Sequence, residues 1–249
     1  GERKENVVLH CQPALKRLIM KQPELKQVAS KKDPPPTHDV HASLMSLPYL
    51  MQLDSELDLG KSPYLRNSEF NNDLLPPGAL SSEKRVAISW AGGSNSETAE
   101  KKSIPYSKFR RLFNAPNCQF YSVQVNADST AIADMNRRDN VNDLSESIID
   151  FEDTAIFLSQ MDLVISVDTA VTHLAGALGR PTWTLLPYAA DWRWRVHRAD
   201  SPWYGTMRLF RQQRAGDWDQ VLEEVSHCLF NYGAQMSTSR LAGSCLLPT

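Results

Sequence analysis

The chain has 249 residues, which is long enough for two modest α/β domains or one large one. Its composition, with 41% hydrophobic and 22% charged residues, is that of an ordinary globular protein. The net charge of −2 gives no basis for binding nucleic acid or an anionic lipid surface. Because no apolar run approaches the ~20 residues of a membrane helix and no signal-peptide pattern is present, we expect a cytoplasmic protein without a membrane span. The four cysteines lack CxxC spacing, so we expect free thiols.

The first 66 residues predict part of an α/β domain. The predicted elements are, in chain order, a strand at 6–11, a helix at 13–20, a strand at 27–29, a third strand at 39–42 and a short helix or loop at 44–51. Residues 31–36 end in three prolines, which cannot join a sheet, so this stretch is predicted to be a stiff loop. Residues 67–83, rich in asparagine and then in proline, have no hydrophobic periodicity and predict an interdomain linker.

Strand and helix patterns alternate regularly from residue 84 to residue 232, which predicts a second domain. Apolar runs predict strands at 85–91, 119–125, 147–150, 163–167 and 182–186. Helical periodicity predicts helices at 106–113, 131–137, 153–161, 170–178 and 217–229. This alternation predicts a parallel sheet covered by helices on both faces, and such sheets bind ligands at the carboxyl ends of their strands. The serine-rich residues 233–249 are expected to form a loose tail.

The most informative corner of the sequence follows the predicted strand at 163–167. That strand ends at Asp168 and Thr169, either of which can cap the next helix, and the helix stops at Gly179. The free N–H groups and the dipole at the start of this helix make a site for an anion such as phosphate. His173 lies one turn after Thr169, so both side chains can face the same ligand. The alternative is an ordinary capped helix with a buried, hydrogen-bonded histidine.

Residues 168–181 resemble the D-[ST]-x-x-x-H-x-x-x-A-x-G-x-P signature of glycosyltransferase family 9, the heptosyltransferase-like group. The sequence is most similar to bacterial proteins in which such a domain follows tetratricopeptide repeats. The matching flanks are residues 163–167, 186–188, 191–194, 201–204, 209–212 and 216–218. The likeness runs from Asn6 to about Leu229 and implies a GT-B fold, in which two Rossmann-like domains with parallel sheets face each other. Residues 1–66 would then be an incomplete N-terminal, acceptor-side domain, and residues 84–232 the C-terminal domain that binds a nucleotide sugar.

The resemblance also implies roles for three residues of this corner. In the family the start of this helix holds the diphosphate of the donor, so Asp168, Thr169 and His173 become candidate donor-binding residues. The donor would be a nucleotide-diphosphate sugar, which is a substrate, and no separate cofactor is expected. The family commonly has glycine after the [ST] position, whereas this sequence has Ala170, a departure that would alter the approach of the backbone to the phosphate.

Further donor-binding candidates follow the first two strands of the second domain. Gly92, Gly93 and Ser94 form a turn whose backbone N–H groups suit a phosphate or a sugar, although such a turn alone is usually only a turn. Lys102 begins a basic-Ser-Ile-Pro string that resembles one in the same relatives and would neutralise the phosphate; Lys101 is its competitor. Gln124 ends the next predicted strand and is a candidate to hydrogen-bond the ribose or the base.

Other suggestive patterns have simpler interpretations. Residues 217–219 spell the D-x-D of metal-dependent transferases, but they open the last predicted helix and are better explained as a cap. His38 and His41 have no third ligand nearby, so no metal site is predicted. Asp153 is interpreted first as an N-cap and second as a nucleotide contact. The tryptophans at 192 and 194 are expected to pack at the domain junction, with a wall beside the sugar as the alternative.

The catalytic base that the resemblance leads us to expect is not found in this sequence. In the relatives an acidic residue of a Gly-Leu-Gly-Asp-like loop is the usual candidate, and this chain matches them only downstream of that loop. We therefore expect either a truncated chain, with the loop and tetratricopeptide repeats upstream, or a member that binds nucleotide but has lost catalysis. The predicted function is metal-independent, inverting transfer of a sugar to a glycan, a lipopolysaccharide-like molecule or a protein. The alternative is a non-catalytic nucleotide-sugar-binding or scaffold module, whereas an NAD(P) oxidoreductase is disfavoured because no G-x-G-x-x-G follows a strand.

Overall fold

The computed structural model describes residues 7–34, 36–53, 62–66, 83–93 and 97–234. The predicted linker, apart from its last residue, and the predicted tail beyond residue 234 lie outside these described residues. No helix in the described part of the chain is both long enough and apolar enough to cross a membrane.

The N-terminal region contains a small parallel sheet of two strands. Strands β1 (Val8–Cys11) and β2 (Gln27–Ser30) pair with Val8 opposite Gln27, and the chain between them forms a 3₁₀ turn and helix α1 (Lys16–Met20). A second 3₁₀ turn leads into the short helix α2 (Leu47–Leu50). The predicted third strand at 39–42 is wrong, because these residues form no strand and Val40 is 86% exposed, so no buried face favours pairing.

The second region is built on a sheet of six parallel strands. They are β3 (Lys84–Ser89), β4 (Cys118–Ser122), β5 (Val141–Asp143), β6 (Leu163–Val167), β7 (Thr182–Leu186) and β8 (Met207–Arg211). Their order across the sheet is β5-β4-β3-β6-β7-β8, which is the doubly wound order of a Rossmann fold. The predicted α/β architecture with parallel sheets is therefore confirmed.

Six helices accompany this sheet in the described part of the chain. They are α3 (Glu97–Lys102), α4 (Tyr106–Phe109), α5 (Ser129–Met135), α6 (Phe151–Ser159), α7 (Ala170–Ala177) and α8 (Trp218–Ala234). Because successive strand residues point to opposite faces, Leu163 and Ile165 join one buried cluster with residues of α4 and α8. Val164 joins the other cluster, with residues of α6 and α7. The sheet is thus buried on both faces, as its near-continuous apolar strands predict.

Two predictions about this domain need correction, and two of its elements are not predicted from the sequence. The predicted strand at 147–150 is wrong: the edge strand is β5, and residues 145–147 form a 3₁₀ turn. Asp150 is the N-cap of α6, and Asp153 is its capping-box partner three residues later, so the predicted cap is misplaced by three residues. Strand β8 and helix α3 are not predicted from the sequence, because arginines interrupt the apolar pattern of β8 and the sequence of α3 is strongly polar.

Helix α1 of the N-terminal region packs onto the second region. Leu18 is 1% exposed and lies in the cluster formed with α6 and α7. Around it, Arg17 pairs with Asp153 at 2.7 Å, and the Lys21 ammonium lies 2.6 Å from the buried carboxylate of Glu152. A buried apolar side chain surrounded by ion pairs therefore joins the two parts of the chain.

Candidate functional site

The candidate site lies where the direction of chain winding reverses. Strands β3 and β6 are neighbours at the centre of the sheet, paired with Ser89 opposite Ser166, and the chain continues from them to opposite sides. The connections that leave their carboxyl ends diverge and open a crevice, which is where doubly wound sheets bind ligands. The predicted site residues Gly92 and Gly93 follow β3 and Asp168 follows β6, so the topology brings them to the same edge.

Asp168 is the centre of a cluster of charged side chains at this edge. Its side chain is only 5% exposed; the Lys102 ammonium lies 2.6 Å from Oδ2, and His173 Nε2 lies 3.7 Å from Oδ1. Burial alone would raise the pKa of Asp168, but the contacts with His173 and Lys102 outweigh it and lower the pKa to about 2. The structure thus brings together three predicted site residues, with Lys102 and His173 beside the Asp168 carboxylate, which is ionised at neutral pH.

The start of helix α7 is not capped by either predicted residue. Thr169 occupies the N-cap position with extended backbone, but its hydroxyl lies 3.3 Å from that of Ser166 and makes no capping hydrogen bond to the first turn. The Asp168 carboxylate is engaged by Lys102 and His173 instead. The prediction of a side-chain cap is therefore wrong. A helix start without a side-chain cap offers its N–H groups and its dipole to a ligand.

The ring of His173 is held by two aromatic residues that lie far along the chain. It stacks on Trp194, with ring centroids 5.1 Å apart and planes 19° apart. Its Nδ1 lies 3.1 Å from the hydroxyl of Tyr204. Trp194 is fully buried, in one cluster with Tyr204, and its predicted packing at the domain junction stays a prediction. Tyr204 is not among the predicted site residues, and its only signal in the sequence is its place in the matched string 201–204.

Comparison with known proteins identifies the family. The family model for glycosyltransferase family 9 (heptosyltransferase) matches residues 50–220, which is more than half of the chain. The chain belongs to glycosyltransferase family 9. The lysine, aspartate and histidine described above thus lie within the family 9 region.

The individual relatives share low sequence identity with this chain. The chain is 28% identical over 154 residues to Protein FlbA of Caulobacter vibrioides, covering 60% of this chain and 26% of that protein. The solved structure of E. coli ADP-heptose lps heptosyltransferase II has 15% identity and a TM-score of 0.44, over 81% of this chain and 57% of that one. E. coli heptosyltransferase WaaC with ADP has 20% identity and a TM-score of 0.40, over 62% and 47%. The chain therefore spans about a quarter of the curated relative and about half of these structures.

The glycine turn of this family 9 domain lies directly after β3. The backbone N–H of Gly92 donates to the Ser103 hydroxyl at 3.1 Å, and a side-chain carbon at Gly92 would lie 3.1 Å from Cβ of Ala99. Glycine is therefore favoured at position 92 by the close approach of α3. Gly93 is exposed, and a side-chain carbon at that position would have no neighbour within 4 Å, so its surroundings are open. Ser94 lies outside the described residues.

Gln124 supports this turn from the neighbouring strand. Its side-chain oxygen accepts from the Ser89 hydroxyl at 3.0 Å and from the backbone N–H groups of Trp90 and Ala91 at 3.0 and 2.9 Å. Its side-chain nitrogen donates to the Val125 carbonyl at 3.1 Å. The oxygen and the nitrogen of this buried amide are both hydrogen-bonded within the protein. This geometry favours a role for Gln124 in holding the chain where it leaves β3, rather than the predicted contact with ribose or base.

The remaining acidic and aromatic candidates have structural partners. Asp217 accepts from the backbone N–H of Gln220 at the start of α8, which confirms its interpretation as a cap, and Asp219 pairs with Arg111 at 2.6 Å. Within the described residues, no group of three or more His, Cys, Asp or Glu side chains is arranged to hold a metal. Trp192 is exposed and meets Trp203 edge to face.

Proposed function

We propose that this chain binds a nucleotide-diphosphate sugar at the carboxyl ends of β3 and β6 and takes part in transferring its sugar to a glycan or protein acceptor. One observation carries the proposal: Lys102, His173 and the uncapped start of α7 converge at the winding reversal of the sheet. Membership of glycosyltransferase family 9 supports the reaction class.

The charges of this edge suit a diphosphate. The side chains of Lys102 and His173 are 22% and 35% exposed, whereas the Asp168 side chain between them is 5% exposed. The two nitrogen-bearing side chains are therefore accessible from the crevice, and the carboxylate lies beneath them. In this proposal Asp168 positions its two partners, and the phosphate oxygens accept hydrogen bonds from Lys102, His173 and the first turn of α7.

The same groups would assist the departure of the diphosphate. In transfer, the bond between the anomeric carbon and the diphosphate oxygen breaks, and a bond from the acceptor oxygen to that carbon forms. Negative charge accumulates on the leaving oxygen, where preorganised donors stabilise it most. Lys102 and the helix start would supply that stabilisation without a metal. The acceptor proton would go to the acidic side chain of the Gly-Leu-Gly-Asp-like loop that the family resemblance implies, a loop that this sequence does not contain.

Binding measurements with two neighbouring lysines test the donor site. Calorimetry with UDP-, GDP- and ADP-sugars should detect binding to the wild-type chain, and Lys102→Met should weaken it at least ~10-fold through loss of a charge-assisted contact. Lys101→Met is the matched control, since Lys101 pairs with Glu97 on the exposed side of α3 and should leave affinity within about twofold. No binding by any of these sugars would overturn the proposal, as would equal effects of the two substitutions.

Turnover separates transfer from binding alone. Release of nucleoside diphosphate from the sugar whose binding is detected should be slowed by His173→Ala and by Asp168→Ala. An unchanged rate in both variants would remove these residues from the proposed site. Binding without any release, in the presence of candidate acceptors, would favour a nucleotide-sugar-binding module instead.

A further inference from the structure

The His173 ring is constrained on three sides by groups that differ in chemistry. The indole of Trp194 covers one face, the Tyr204 hydroxyl reaches Nδ1, and the Asp168 carboxylate faces Nε2. The indole N–H of Trp194 also helps to lower the pKa of Asp168, although it is buried and has no hydrogen bond of ordinary geometry to any described residue. The orientation of the imidazole is thus fixed by its surroundings.

Tyr204 is itself held tightly in place. It is 7% exposed, and its ring lies against the backbone of α7 so closely that a side-chain carbon at Gly176 would be 2.4 Å from Cγ of Tyr204. Burial raises the pKa of Tyr204, the charge of Tyr64 and a hydrogen bond with Tyr64 raise it further, and Arg193 opposes the rise. The protonated phenol has one proton to donate and an oxygen that can also accept, so it can donate to His173 while it accepts from Tyr64.

These contacts select one form of the neutral imidazole. A neutral histidine carries its proton on one ring nitrogen and accepts a hydrogen bond at the other. The Asp168 carboxylate beside Nε2 favours the proton at Nε2, and this leaves a lone pair on Nδ1 to which the Tyr204 hydroxyl can donate. The contacts of His173 therefore favour the tautomer with the proton on Nε2.

We propose that Tyr204 is a positioning residue that holds His173 in the Nε2–H tautomer, with that N–H directed toward the diphosphate site at the start of α7. The role in ligand binding rests on the proposed function. The 3.7 Å from Nε2 to Asp168 Oδ1 exceeds a hydrogen bond, so the N–H remains available to a phosphate oxygen. Loss of the Tyr204 hydroxyl leaves Nδ1 without its donor and allows the proton to reside on either nitrogen.

Nitrogen NMR of ¹⁵N-histidine-labelled protein measures the tautomer directly, with His173→Gln used to assign the resonance. The wild-type chain should show His173 predominantly as the Nε2–H form, and Tyr204→Phe should convert it to a mixture. Tyr232→Phe is the matched control, because that hydroxyl donates to the Asp162 carbonyl at the opposite edge of the sheet. It should leave the tautomer unchanged.

Affinity for ADP, used as the probe, completes the test. Tyr204→Phe should weaken ADP binding about tenfold, and Tyr232→Phe should change it less than about twofold. A wild-type His173 with its proton on Nδ1 would overturn the proposal without any variant, and so would a Tyr204→Phe tautomer identical to wild type. If wild-type protein bound neither ADP nor the other nucleotides, the proposed function would fail, while the tautomer measurement would still decide the role of Tyr204.

Discussion

Replacing Asp168 by asparagine should make the stability difference between wild type and variant depend on pH. Burial would raise the pKa of this carboxyl, but its contacts with His173 and Lys102 outweigh burial and lower the pKa from 3.8 to about 2. At 1.36 kcal/mol for each tenfold change in proton affinity, that difference corresponds to about 2 kcal/mol in the free energy of unfolding. Asparagine does not titrate, so the variant lacks this contribution at every pH.

The direction of the pH dependence follows from the lowered pKa of Asp168. Because the folded-state pKa lies below the unfolded-state pKa, the stabilisation is complete above about pH 5 and is lost as the pH falls from about 4 towards 2. About half of it is gone at pH 3. The difference in unfolding free energy between wild type and Asp168→Asn should therefore shrink by about 1 kcal/mol between pH 6 and pH 3.

Urea unfolding followed by tryptophan fluorescence measures this difference at several pH values. Any pH-independent effect of the amide cancels, because only the change with pH is compared. Lys102→Met should reduce the same pH dependence, since it removes the ammonium 2.6 Å from the carboxylate. A difference between wild type and Asp168→Asn that stays constant from pH 6 to pH 3 would refute the assignment of Asp168 as a buried, ion-paired carboxylate.

Two further substitutions test the packing around the site. Gly176→Ala should destabilise the fold by about 1–3 kcal/mol in thermal unfolding, because its new carbon would lie 2.4 Å from the Tyr204 ring. Gly205→Ala, with no neighbour within 4 Å, is the control, and equal melting temperatures would contradict the close contact. Leu18→Ala should cost about 3 kcal/mol in urea unfolding, whereas Met20→Ala, 59% exposed, should cost under about 0.5 kcal/mol. Equal costs would show that α1 does not pack on the second region.

The central strands of the second region could be predicted from sequence because their signals are local and strong. The bounds of β6 and β7 match the predicted 163–167 and 182–186, since both are apolar runs with clear breaks on each side. Helix α7 ends as predicted next to Gly179, whose φ of +68° is a conformation that glycine adopts without strain. A continuous apolar run with clear breaking residues at its ends is therefore enough to predict the bounds of an element that is buried on both sides.

The wrong secondary-structure predictions lie where a short sequence fits either a strand or a turn. The strand predicted at 147–150 rests on Ile148 and Ile149, but Ile149 is 83% exposed, and the following aspartates form a capping box. The true edge strand β5 has only three residues, too few for an alternating pattern to stand out. Short edge strands contribute little hydrophobic signal, so their position depends on tertiary pairing.

The partners of the candidate residues were beyond sequence reasoning for a different reason. Tyr204 is 31 residues from His173 along the chain, and Lys102 is farther still from Asp168. Such contacts depend on the strand order, which a local sequence pattern does not determine. The family resemblance indicated Lys102, Asp168 and His173 as site residues, but it did not indicate which side chains contact them. For Gln124, the structure shows hydrogen bonds that support the exit of β3, and the ligand contact stays a prediction.

The presence of an aspartate in a site proposed for a diphosphate is explained by the depth at which it lies. A carboxylate exposed to the crevice would repel the phosphates, but that of Asp168 is nearly inaccessible, and its charge is matched by the ammonium of Lys102. Removing it would leave a partly buried lysine without its partner and His173 without the group that favours a proton on Nε2. The charge of the buried Asp168 therefore opposes anion binding only weakly. At the same time, Asp168 holds Lys102 and His173, the two donors that would contact the anion, in place. This balance predicts that Asp168→Asn weakens nucleotide binding through misplaced donors even though it removes a negative charge, whereas tighter binding by the variant would show that repulsion dominates.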